Sequence, residues 1–281
     1  MPGQTEGVSE LELTLVGLPK TATTWLASVL DYNPEVNLFD ESDKIERLWA
    51  RPQGVPLLIA ESVTDPLFLG AVERRAEAVR ALQSRVPGKR HLLFLREPGD
   101  WVVSLYRQFV KRGGYRRFRD FFGETSDHIV TPAYLDYGWL VEDVGQAVPG
   151  PVAICHYDCL LRDPQGFVTA ITRAFGGDTG LQDLVSGIPP RAFHQQANVG
   201  LRGRGARWLR ALNRIRRSRW NPHGWFSWKR AERLPWSRLG MGGSDLLDDE
   251  DRAYLAEMVE RYADWSLWED RFKDRCVFLH G

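Results

Sequence analysis

The stretch "LTLVGLPKTATTWLASVL", residues 13–30, decides the fold. A nearly unbroken apolar run, Leu13 to Val16, stops at Gly17 and Pro19; small and hydroxylated residues follow, and an amphipathic helical pattern begins at Trp25. A strand, a tight turn carrying Lys20, and a helix in direct succession form a cradle for an anion. Backbone N–H groups at a helix N-terminus attract negative charge, and a lysine can reach across it. The alternative reading is an ordinary strand-to-helix turn in which Lys20 is solvated and the threonines cap the helix.

Outward from that stretch, three more apolar runs read as buried parallel strands: "VPLLIAES" (55–62), "RHLLFLRE" (90–97) and "GPVAICHY" (150–157). Helical patterns lie between them. "LGAVERRAEAVRALQSR" repeats apolar residues at helical spacing, and "DWVVSLYRQFVKRG" does so after Pro98, a residue suited to a first helical turn. Alternation of this kind predicts an α/β fold, a central parallel sheet flanked by helices. Of the 281 residues 43% are hydrophobic, enough for one large domain, and we expect a single domain over 1–281.

From Asn198 to Gly240 the character changes: arginine and tryptophan crowd the segment, and its one acidic residue is Glu232. We read 198–240 as a basic, Trp-rich C-terminal lid or insertion within the domain. "GSDLLDDEDRAYLAEMVERYADWSLWEDRF" then reads as a closing helix with a Ser or Asp cap and acids in its first turn.

Thirty-seven basic residues balance thirty-seven acidic ones, so overall charge gives no sign of nucleic-acid binding. Cys155, Cys159 and Cys276 are an odd, sparse set without metal-ligand spacing, which predicts free thiols, no zinc and a reducing cytoplasm. The N-terminal "MPGQTEGVSE" lacks the marks of a signal peptide, and no run approaches the roughly 18 apolar residues of a membrane span. The expectation is a cytoplasmic protein.

A metal-assisted nucleotide loop reads GxxxxGK[ST], with its last hydroxyl on Mg²⁺; this chain lacks it. Instead Lys20 comes early, followed by Thr21, Ala22, Thr23, Thr24 and Trp25. At the end of the run at 90–97, Arg96 is followed eight residues later by Ser104, a guanidinium and a hydroxyl suited to a second phosphate.

Together "PKTATTWL" and Arg96 with Ser104 resemble the sulfotransferase superfamily that uses 3'-phosphoadenosine 5'-phosphosulfate (PAPS), in its bacterial-like, carboxylate-base branch. That resemblance implies a P-loop-like fold. In the family a KxGTTWL-like loop grips the 5'-phosphosulfate, and an Arg with a Ser eight residues on grips the 3'-phosphate. Ala22 stands where the family has glycine, which demands a right-handed backbone there. "AESVTDPLFL", "ICHYDCLLRDPQGFVTAITRAFG" and "ANVG" resemble later family segments.

The resemblance implies sulfuryl transfer to a hydroxyl or amine of a small-molecule, glycan or lipid-linked acceptor, with 3'-phosphoadenosine 5'-phosphate (PAP) as product and no metal. Lys20 becomes the charge stabiliser. Aligned on Lys44, Arg47 and Trp49, the family's catalytic glutamate falls on Ile45, with Glu46 one residue late; counted without a gap it falls on Asp43. We favour Glu46, with Glu61 at a strand end as third candidate. For each, a solvated surface charge is the competing reading. Histidine is the base in another branch: His91 and His156 read as structural, while His128 and His194 stay open. Arg202 or Arg204 is expected to close over the 3'-phosphate. The segment 202–238 has a peripheral membrane contact as a second reading, and nucleic acid is disfavoured. Two competing functions remain, a nucleoside-phosphate kinase-like enzyme and a catalytically silent nucleotide-binding or membrane module.

Overall fold

The computed structural model describes residues 13–16, 18–21, 26, 29, 36–40, 55–60, 65–69, 72–85, 90–148, 150–175, 188–193, 203–227, 246–273 and 275–280. Its contacts gather the chain into two units, one of residues 1–96, 137–197 and 265–281, the other of 97–136 and 198–264. The second unit thus takes in 97–136 as well as the Arg/Trp segment.

In the first unit the apolar runs become strands β1 (Leu13–Val16), β3 (Val55–Ala60), β4 (His91–Leu95) and β5 (Val152–His156). All are parallel, in register Leu13↔Leu57, Thr14↔His91 and Leu92↔Ala153. Two strands not read from the sequence complete the sheet. β2 (Val36–Asp40) lies parallel on one edge, and β8 (Val277–His280) pairs antiparallel with β5 on the other. The order is β2-β3-β1-β4-β5-β8; the short strands β6 (Arg216–Arg217) and β7 (Phe226–Ser227) pair with each other in the second unit.

Every residue of β4 and β5 is buried, because both faces of a parallel sheet are covered. On one face Leu92, Phe94, Ala153 and Cys155 pack with Phe167 and Ile171 of a helix spanning Pro164–Ala174, and with the helical Leu26 and Val29. Helix α2 (Arg75–Arg85) packs with α5 (Tyr137–Ala147). Arg75, fully buried, is paired at 3.0 Å with Asp143 between them. A guanidinium so enclosed is tolerable only beside a carboxylate.

The prediction of free thiols is corrected here. Cys159 and Cys276, 117 residues apart, form a disulfide with Cα atoms 5.7 Å apart. Their juxtaposition comes from the β5–β8 pairing, which sequence spacing does not disclose. Cys155 keeps a buried thiol whose pKa burial pushes up. The thiols therefore lend no support to a reducing compartment. Among the described residues no helix is long and apolar enough to cross a membrane.

In the second unit, α3 (Pro98–Lys111) starts as the sequence requires, with Pro98 in its first turn. The Glu97 carboxylate accepts from the N–H groups of Gly99 (2.9 Å) and Asp100 (2.5 Å). Its apolar stripe is Trp101, Leu105, Tyr106 and Phe109; Tyr106 packs on Phe118 and Phe121, Phe109 on Phe121, and Trp101 on Tyr134. Helix α9 (Gly203–Asn213) packs on α3, and Asn213, fully buried, donates to the carbonyls of Val110 (2.8 Å) and Gly114 (2.9 Å).

The single closing helix expected from the sequence is two. One spans Asp249–Tyr262, capped by Asp248; after Ala263, whose ψ of 137° is extended, a second spans Trp265–Phe272. The apolar spacing runs through the break, so periodicity gave no warning of it.

Candidate functional site

The strand order places a topological switch point inside the first unit. The connection from β1 leads toward β2 on one side, that from β4 toward β5 on the other, so their C-terminal ends diverge. Ligands of open α/β sheets bind in the crevice that such divergence opens. Lys20 follows β1 and Arg96 follows β4, so the two cationic residues chosen from sequence flank this point.

The turn after β1 is closed locally. Leu18 and Pro19 are buried, and the Thr21 hydroxyl donates to the Leu18 carbonyl at 2.5 Å. Thr21 is itself fully buried, so its side chain serves the turn, and what it can offer a ligand is its backbone N–H. Half-buried Lys20 has φ 68°, the only positive φ of a non-glycine residue among those described. A left-handed backbone at a residue with a Cβ costs about 1–2 kcal/mol and persists where its surroundings impose it, commonly at ligand sites.

Part of what imposes it is visible. Arg96 Nη1 donates to the Lys20 carbonyl at 3.2 Å, linking the two strand ends. Arg96 is in turn placed by two tyrosines. Its guanidinium lies over the Tyr157 ring, 4.7 Å from the centroid, and its carbonyl accepts from the Tyr137 hydroxyl at 2.8 Å. Sequence reasoning missed both tyrosines and the backbone at Lys20. Tyr157 carried a signal: it is the first aromatic after the buried strand β5, inside a segment already noted for its resemblance.

Neighbouring His156 ends β5 with its ring stacked on Phe272 (4.8 Å) and against Trp265 (5.3 Å). Burial lowers its pKa and the nearby Asp158 opposes the shift. Stacked and largely enclosed, it has the structural role expected from sequence, as does His91, fully buried within β4. His128, half-buried in the second unit, has Nδ1 at 2.9 Å from the Thr125 hydroxyl.

Ser104 is half-buried on α3 in the second unit. Arg204 lies on α9. Ala22, Thr23, Thr24, Trp25, Asp43, Glu46, Glu61, His194 and Arg202 lie outside the described residues. No group of three or more His, Cys, Asp or Glu side chains that could hold a metal occurs among the described residues.

No protein-family profile matches the chain, and no curated protein does. Among solved structures it is similar to mouse sulfotransferase SULT7A1 complexed with PAP, at 14% identity and a TM-score of 0.44, over 94% of this chain and 88% of that one. It is also similar to a sulfotransferase from Alicyclobacillus acidocaldarius, at 15% identity and a TM-score of 0.41, over 67% of this chain and all of that one.

Proposed function

We propose that the chain is a PAPS-dependent sulfotransferase, moving a sulfuryl group to a hydroxyl or amine of a small-molecule, glycan or lipid-linked acceptor. The observation that carries this reading is the hydrogen bond from Arg96 Nη1 to the Lys20 carbonyl beside the switch point, between the two motifs that suggested it. The fit to an anionic donor rests on the same feature: a strained lysine backbone and a guanidinium meet at the crevice, and an anion supplies a reason for both.

When bound, the donor supplies an activated sulfuryl group. An acceptor oxygen or nitrogen forms a bond to sulfur as the S–O bond to phosphate breaks, and the acceptor proton passes to a carboxylate. Lys20 answers the charge that gathers on the departing phosphate, and removal of such a stabiliser costs roughly 10²–10³ in rate. The N–H groups of 21–25 hold the 5' end, Arg96 and Ser104 hold the 3'-phosphate, and Arg202 or Arg204 covers it. Glu46 is the proposed base, ahead of Asp43 and Glu61.

Incubation with radiolabelled PAPS and a phenol, a sugar and a fatty alcohol tests the reading. Labelled product with stoichiometric PAP is expected from at least one acceptor; PAP release no faster than without protein, for all three, would sink it. Transfer by Glu46→Gln at the parent rate would remove Glu46 from its role.

A further inference from the structure

The second unit carries a surface that donor chemistry does not use. Past Arg204, residues 205–227 hold six arginines and no acidic residue, and Arg207, Arg214, Arg217 and Arg219 are exposed. On α9 the buried side is Ala206, Leu209 and Asn213. The opposite side exposes Trp208 (68%), Ala211 and, two residues past the helix, Ile215 (44%), residues spaced to lie in one line. Arg207 and Arg214, both exposed, run along one edge of that line.

The line is extended by a built loop. Trp225 N–H donates to the Ile215 carbonyl at 2.8 Å, and Phe226 pairs with Arg216. The Ser218 hydroxyl accepts from the N–H groups of Trp220 and Asn221, and Asn221 Nδ2 donates to the carbonyls of Asn213 and Arg214 that end α9. A Cβ on Gly224 would lie 2.3 Å from the Arg216 carbonyl carbon, so only glycine permits this approach. The result is a Trp225 side chain 90% exposed beside Ile215, on a backbone held in place. Arg217 and Arg219 are exposed nearby in sequence.

We infer that this face docks on a lipid bilayer bearing anionic headgroups. Tryptophan settles at the headgroup boundary, arginine pairs with anionic lipid, and an apolar line edged by cations lies in the interface plane. Single-stranded nucleic acid would stack on the tryptophans, but it has no use for Ile215 and Ala211 between them, whereas the acyl boundary accepts both. The inference goes beyond the proposed reaction and stands whatever the donor is.

Co-sedimentation of the full chain with vesicles tests it, using phosphatidylcholine alone against phosphatidylcholine mixed with phosphatidylglycerol. The chain is expected to pellet only with the anionic vesicles. Arg207→Ala with Arg214→Ala should lower partitioning roughly 30-fold at low salt, at the usual contribution per surface charge. Trp208→Ala with Trp225→Ala should lower it at least tenfold, with circular dichroism and melting unchanged. The inference is overturned if the parent stays in the supernatant with anionic vesicles. It is equally overturned if the double tryptophan variant binds as the parent does, or if a single-stranded oligonucleotide binds through these tryptophans while vesicles do not.

Discussion

Replacing Lys20 by glycine and, separately, by alanine divides its backbone role from its charge. Lys20 sits at φ 68°. Alanine keeps a Cβ and with it the left-handed penalty of about 1–2 kcal/mol. Glycine removes that penalty but loses roughly 0.5–1 kcal/mol to the greater freedom of the unfolded chain. At the midpoints of those ranges Lys20→Gly is more stable than Lys20→Ala by about 0.8 kcal/mol. With an unfolding entropy near 2.1 cal/mol/K per residue over 281 residues, this is a difference of about 1 °C in melting temperature. Both variants lose the ammonium, so both should lose roughly 10²–10³ in transfer rate. Paired scanning calorimetry and single-turnover transfer from PAPS read the two effects. A glycine variant no more stable than the alanine variant would refute the strained backbone. A glycine variant with parental transfer would refute the charge role, leaving Lys20 a residue of the turn alone.

Three further outcomes follow from the packing. Thiol labelling of the denatured chain should find one free cysteine without reductant and three with it, and reduction should cost about 4–5 kcal/mol in the chain-entropy account of so long a loop; three free thiols in the untreated chain would contradict the pairing. His156 has its folded pKa lowered by burial, so between that value and the unfolded one near 6.5 the unfolded chain binds more protons. Its contribution is therefore present above pH 6.5 and lost as pH falls through the folded pKa; His156→Phe, which keeps a ring against Phe272, should flatten that part of the stability–pH curve, and an unchanged slope would contradict it. Asn213→Ala abandons two buried carbonyls and should cost about 2–4 kcal/mol in urea denaturation, where a loss below 0.5 would show that those bonds contribute little.

What the sequence disclosed follows from how each element is buried. β4 and β5 are enclosed on both faces and show as continuous apolar runs, as do β1 and β3. β2 carries Asn37 and Asp40, and β8 is four residues long on an edge, so neither leaves such a run. Helix α3 was legible because Pro98 and its apolar stripe are local features. The Cys159–Cys276 bond and the stacking of Tyr157 on Arg96 depend on contacts distant in the chain, which no local pattern encodes. Lys20 and Arg96 were chosen for their chemistry at strand ends; that one bonds the other's carbonyl is a property of strand order. The positive φ of Lys20 was illegible because its side chain argues against it.

The central claim is that the turn at Lys20 and the arginine after β4 hold a bisphosphorylated adenosine. Calorimetric titration with PAP, beside ATP with Mg²⁺ as control, tests it most directly. The account predicts saturable, metal-independent binding of PAP that Arg96→Ala weakens at least tenfold. Binding of ATP with Mg²⁺ alone, or of neither nucleotide, would contradict it.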